Sequence, residues 1–125
     1  MQKAVAFLGL GVMGYPMAGW LSKHGYAVVV YNRTEAVSQR WLNDYSGTSA
    51  STMAEAVAGA EIVFSCLGND DDVRAVVGGE TGALAAMESG SILVDHTTTS
   101  ALLARELAEQ AEALAIGFVD APVSG

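Results

Sequence analysis

The sequence predicts an α/β fold, a doubly wound and mostly parallel sheet with helices on both faces, and three observations predict it. Short β-branched runs alternate with longer segments of helical period along the 125 residues, the order of elements that builds a parallel sheet joined by crossover helices. Two of the runs, Val28-Val29-Val30-Tyr31 and Ile62-Val63-Phe64, are apolar without alternation, as central strands covered by helices on both faces are. A glycine-rich turn, Gly9-Leu10-Gly11-Val12-Met13-Gly14, stands between the first run and the first helical segment.

Strands are expected over 3–8, 26–31, 61–66, 91–95 and 117–120, and helices over 12–24, 34–45, 52–59, 70–77 and 99–115, with a weakly signalled short strand near 47–50. The first of these needs an argument. Ala4 to Ser22 is uncharged for 19 residues, long enough to raise a membrane helix, and Lys3 before an apolar run imitates a secretory leader. Gly9, Gly11, Gly14, Gly19 and Pro16 lie inside that stretch, and each glycine gives up about 1 kcal/mol of helix propensity relative to alanine. Strand, tight turn and helix fit better. The last helix, "TSALLARELAEQAEALA", sets Leu103, Leu107, Ala111 and Leu114 on one face. Tyr15, Trp20, Trp41 and Phe118 are expected to pack.

At 51% hydrophobic and 16% charged the chain is globular, and its length is one domain's worth. Fourteen acidic against six basic residues, a net charge of −8, leave no basic stripe to neutralise a nucleic-acid backbone. A small anion remains a candidate ligand, because backbone N–H groups at a helix end bind anions whatever the net charge. Cys66 is the only cysteine, so no internal disulfide forms, which fits a reducing cytoplasm. No repeat or linker interrupts the chain, and residues 1–125 read as a single domain.

Between a strand and a helix, "GLGVMG" is G-x-G-x-x-G in the context that gives the pattern meaning. Gly9 allows the tight turn, Gly11 lacks the Cβ that would block a pyrophosphate, and Gly14 lets the helix pack close to the sheet. That is the Rossmann-type arrangement for a dinucleotide. Eighteen residues past Gly14, after the second strand, stands Asn32-Arg33-Thr34, where an NAD-binding protein commonly has an acid to accept the ribose hydroxyls. Arg33 instead offers a planar fork of donors suited to a 2′-phosphate, with Asn32 and Thr34 able to add neutral hydrogen bonds. The alternative is a solvated Arg33 and a Thr34 that only caps the next helix.

After the third long strand comes "CLGNDDDV". Its contiguous aspartates suit the first turn of a helix and would point in different directions, so no metal site is expected. Cys66 reads as a small hydrophobe at the strand end, with nothing near it in sequence to lower its pKa. "LVDHTTTS" again sets hydroxyl side chains at the carboxyl edge of the sheet, where ligands bind in this architecture. Thr98 is the candidate contact, while Thr99 or Ser100 caps the next helix; His96 is read as non-catalytic.

In order, "GLGVMGYPMA", "NRT", "CLGND", "DHTTTS" and the terminal "DAPVSG" resemble the β-hydroxyacid dehydrogenase family over the full chain. That family includes 3-hydroxyisobutyrate dehydrogenases and several semialdehyde reductases, and the imine reductases are related. The resemblance implies that Gly9 through Gly14 hold the pyrophosphate and Asn32, Arg33 and Thr34 the NADP 2′-phosphate. Leu67 and Gly68 would line the track toward the nicotinamide, with Thr98 near its far end. Family members often have proline at the position of Gly68, a departure that loosens this loop. Ser124 and Gly125 inherit the role of receiving a small carboxylate substrate. The family's catalytic lysine lies in a second, all-helical domain that these residues do not include, so no catalytic residue is assigned here. The resemblance thus implies the cofactor half of an NADP-dependent oxidoreductase, NAD being the lesser choice, within a homo-oligomeric protein; with the cysteine, charge and glycine readings above, a cytoplasmic protein that engages neither membrane nor nucleic acid is expected. The alternative is a non-catalytic dinucleotide-binding module, a sensor or reader that keeps the fold without the chemistry.

Overall fold

The computed structural model describes residues 3–123. Six parallel strands form one sheet: β1 (Ala4–Leu8), β2 (Ala27–Tyr31), β3 (Thr48–Ser49), β4 (Ile62–Ser65), β5 (Ile92–Asp95) and β6 (Gly117–Asp120). Their order is β3-β2-β1-β4-β5-β6. The chain therefore builds outward from β1 through β2 to β3, crosses back, and builds outward again through β4. The reversal lies between β1 and β4, and in such sheets the crevice beyond the carboxyl ends at that point is where ligands bind.

The helices are α1 (Gly14–Lys23), α2 (Glu35–Asp44), α3 (Met53–Val57), α4 (Asp70–Val76), α5 (Ala83–Ala86) and α6 (Ala101–Ala113). Side-chain caps start three of them: Thr52 Oγ1 accepts from Glu55 N, Asn69 Oδ1 from Asp72 N and Ser100 Oγ from Leu103 N, each satisfying a backbone donor the helix itself leaves unpaired. The sequence reading omits α5. Four residues are too few to show a period, and the turn into it depends on Gly82, where a Cβ would stand 2.1 Å from the Gly78 carbonyl oxygen.

Two apolar clusters sandwich the sheet. One joins Ala6, Leu8, Val63 and Leu93 to Val57, Val73, Leu84, Leu103 and Leu107 of the helices. The other joins Val5, Phe7, Val28 and Val30 to Ala18 and Trp41. Trp41 is fully buried, and its indole N–H donates to the Tyr15 carbonyl oxygen over 3.2 Å. At Gly19 a Cβ would stand 2.2 Å from the Tyr45 ring, so this glycine seats the aromatic residue that follows α2.

Two expectations need correction. Trp20 is 59% exposed, stacked on His24 at the outer end of α1 with ring centroids 3.7 Å apart, rather than packed inside. Leu114 lies past the last turn of α6 and is exposed, while Leu103, Leu107 and Ala111 are buried. Coverage of the sheet is also uneven. Register places Phe7, Phe64, Val94 and Val119 on one face with Val5, Ile62 and Ile92. Toward its β6 side that face opens, with Ile92 and Val119 exposed, whereas Leu93 on the opposite face is fully buried.

Candidate functional site

A cavity of about 470 Å³ lies at the carboxyl ends of β1, β2 and β4. Its floor is the Gly9–Gly14 turn, one wall is Tyr31 to Thr34 after β2, and the other is Cys66 to Gly68 with Asp72 and Val76 of α4. The three motif glycines differ in what the fold asks of them. Gly9 has φ +98°, and a Cβ there would stand 2.3 Å from the Cys66 carbonyl oxygen. At Gly14 a Cβ would stand 2.1 Å from the Gly9 carbonyl oxygen. Gly11 has no such neighbour: among the described residues nothing lies within 4 Å of the place a Cβ would take. The fold needs glycine at the first and third positions; at the second, the space is left open beside the cavity.

Asn32 is tied into this turn. Its Oδ1 accepts from Leu10 N over 2.9 Å and its Nδ2 donates to the Thr34 carbonyl oxygen over 3.1 Å, so the residue after β2 fixes the glycine loop and shapes the bend that presents Arg33. Thr34 takes the N-cap position of α2 with no hydrogen bond from its side chain to the helix. Arg33 reaches across the cavity, and its Nη2 lies 3.5 Å from Asp72 Oδ1.

The loop after β4 hangs on a buried polar relay. Ser65 Oγ and Thr97 N both donate to Asp95 Oδ1, over 2.9 and 3.1 Å, and Leu67 N donates to Thr97 Oγ1 over 2.8 Å. Thr97, nearly fully buried, therefore sets Leu67 against the cavity, while the expected contact Thr98 is exposed and lies outside the cavity's lining. The period-two pattern that buries Leu93 and Asp95 continues to Thr97, and that pattern was the available signal. His96 Nδ1–H donates to the Ala121 carbonyl oxygen over 2.8 Å and the ring stacks on Phe64. Burial raises the Cys66 thiol's pKa, and Asp95 adds to the shift, so the thiolate is disfavoured. The three aspartates face separate partners: Asp70 accepts from Ser100 N, Asp71 faces Arg74 and Asp72 faces Arg33. Ser124 and Gly125, expected at the substrate edge, lie outside the described residues.

Asp95 itself is fully buried, and among the described residues its Oδ2 has no hydrogen-bond partner. Burial pushes its pKa up, Asp120 adding to the effect against the hydrogen bonds from Thr97 and Ser65. With the folded value above the unfolded one, the native state prefers the neutral acid. Its stabilising contribution is present below the ordinary carboxylate range and is lost as pH rises through the folded value. Asp95→Asn keeps an acceptor for Ser65 and Thr97 and cannot ionise. Denaturant titrations between roughly pH 4 and pH 7 are expected to show wild type losing stability relative to the variant as pH rises. A flat difference would mean the carboxyl does not titrate in that window.

Residues 4–125 match the family model described as the NAD binding domain of 6-phosphogluconate dehydrogenase. The chain belongs to this family. A protein of Shewanella frigidimarina, named only as an uncharacterized oxidoreductase, is 58% identical over 121 residues, 97% of this chain and 42% of that one. The structure of Mycobacterium tuberculosis 3-hydroxyisobutyrate dehydrogenase with L-serine superposes with a TM-score of 0.89 at 33% identity, covering 100% of this chain and 42% of that one. A reductive aminase from Aspergillus terreus in complex with NADPH and ethyl levulinate gives a TM-score of 0.77 at 27% identity, over 94% of this chain and 40% of that one. The chain thus spans less than half the length of each of these. Among the described residues no helix is long and apolar enough to cross a membrane.

Proposed function

We propose that this chain is the cofactor-binding half of an NADP-dependent oxidoreductase that interconverts a β-hydroxy acid and its semialdehyde or ketone, in the manner of 3-hydroxyisobutyrate dehydrogenases. The observation that carries the reading is the cavity at the strand-order reversal, floored by a glycine the fold does not need and rimmed by Arg33. Gly11 and the free N–H groups at the start of α1, where the helix dipole favours an anion, would hold the pyrophosphate. Arg33, with the Thr34 hydroxyl beside it, would hold the 2′-phosphate. Leu67 and Gly68 guide the dinucleotide along the sheet edge, held there by the Thr97 relay. The bound nicotinamide supplies or accepts the hydride.

The remaining roles fall to residues at and beyond the chain's carboxyl end. Thr98 stands at the same edge of the sheet toward the nicotinamide end, and the Ser124–Gly125 backbone receives the substrate carboxylate. The proton is moved by a lysine outside these 125 residues, since Lys3 precedes β1 at the opposite edge of the sheet and Lys23 ends α1. The active protein is a cytoplasmic homo-oligomer. The NADPH-bound reductive aminase favours the same cofactor, and it makes imine reduction the second reading.

The test is a pair of measurements on the chain. Calorimetric titration is expected to show NADP binding more tightly than NAD. Steady-state assays with NADP and a panel of β-hydroxy acids are expected to show no turnover, because the proton donor is elsewhere. Turnover comparable to that of a complete dehydrogenase would overturn the two-part reading, and failure to bind either cofactor would overturn the assignment altogether.

A further inference from the structure

Arg33 does not face the ribose end of the cavity alone. Asp72, from the first turn of α4, places Oδ1 3.5 Å from the arginine's Nη2, and both side chains line the same cavity. The carboxylate is the better-held partner, 35% exposed against 71% for Arg33. Its backbone N–H is pinned by the Asn69 cap at 2.9 Å. It also occupies room that Gly68 leaves free, since a Cβ on Gly68 would stand 2.9 Å from Asp72 Oδ2.

We infer that Asp72 is a specificity-determining residue of the cofactor site: it competes with the 2′-phosphate for Arg33 and so holds down the preference for NADP. The inference rests on the reading of Arg33 as the phosphate's partner. An acid that disfavours the 2′-phosphate commonly follows the second strand. Here that position carries no acid, and the carboxylate comes instead from the opposite wall of the crevice. A phosphomonoester brings close to two negative charges at neutral pH. To reach Arg33 it must approach Asp72 and displace or share the guanidinium edge that the carboxylate occupies. An unphosphorylated ribose brings only hydroxyls, which can donate to that carboxylate. One cation and one anion facing each other across the site thus temper a choice that Arg33 alone would make steeply.

The experiment is calorimetric titration of NADP and NAD into the wild-type chain, Asp72→Asn, Asp72→Glu, Arg33→Ala and the Arg33→Ala/Asp72→Asn double variant, each checked for folding by circular dichroism. The readout is the ratio of NAD to NADP dissociation constants. Asp72→Asn is expected to raise it about three- to tenfold, the range of one like-charge contact near a protein surface. Asp72→Glu, which keeps the charge, should leave it within about twofold of wild type, and added salt should shrink the gain. The gain should also be smaller in the Arg33→Ala background, because the two residues act on one phosphate. An unchanged or lower ratio in Asp72→Asn, with Arg33→Ala still lowering it, would overturn this inference and leave the NADP reading standing. A ratio near one in both wild type and Arg33→Ala would remove the NADP reading and this inference with it.

Discussion

Replacing Gly11 with valine is expected to abolish dinucleotide binding while the protein stays folded. The two halves of that expectation have separate physical grounds. The fold tolerates the change because none of the described residues lies within 4 Å of the new Cβ and the backbone there is not in the left-handed region. The ligand does not tolerate it, because the branched side chain takes the space a pyrophosphate needs to meet the backbone N–H groups. Affinity should fall by about a hundredfold or more, the equivalent of roughly 2.7 kcal/mol or greater. Gly9 and Gly14 cannot serve in this test. Side chains there collide with the Cys66 and Gly9 carbonyl oxygens, so lost binding would report a damaged turn. Titration of NADP into Gly11→Val, beside a thermal melt, separates the cases. Unchanged affinity in a folded variant would reduce the motif to a tight turn.

The same contrast shows which parts of the site a sequence can disclose. The turn was legible because its chemistry is local: glycine at three fixed spacings between a strand and a helix has few other causes. Strand positions were legible because short β-branched runs such as Val28–Val30, bounded by turn residues, suit a covered pleated strand better than a helix. Arg33 was legible by its distance from the turn. Asp72 was not, because Asp70, Asp71 and Asp72 are equivalent as acids in a helix's first turn, and only the direction of α4 sends one of them to Arg33. Thr97 and Thr98 are equally hydroxylic; extending the strand's alternation by one step separates them. Trp20 shows the limit of composition arguments. It was read as packing, yet it stands 59% exposed and stacks on His24 at the surface.

Arg33→Ala is expected to remove most of the preference for NADP over NAD while changing NAD affinity little. A charge-assisted hydrogen bond to phosphate is worth about 1.5–3 kcal/mol, and about 1.4 kcal/mol is tenfold in affinity. Arg33 alone would therefore give a preference on the order of ten- to a hundredfold. Two observations draw the expected wild-type value toward the lower figure. The side chain is 71% exposed, so water and salt screen its charge, and its Nη2 already faces Asp72 at 3.5 Å. NAD loses little in the variant because it brings no phosphate to that edge of the cavity. Arg33→Lys discriminates further. Lysine keeps the charge and loses the planar fork, so an intermediate ratio is expected if paired hydrogen bonding matters and a wild-type ratio if charge alone does. Titrations of both cofactors into the three proteins at low and raised salt would read all of this. Equal weakening of both cofactors by Arg33→Ala would make Arg33 a stacking or surface residue and overturn the assignment to NADP.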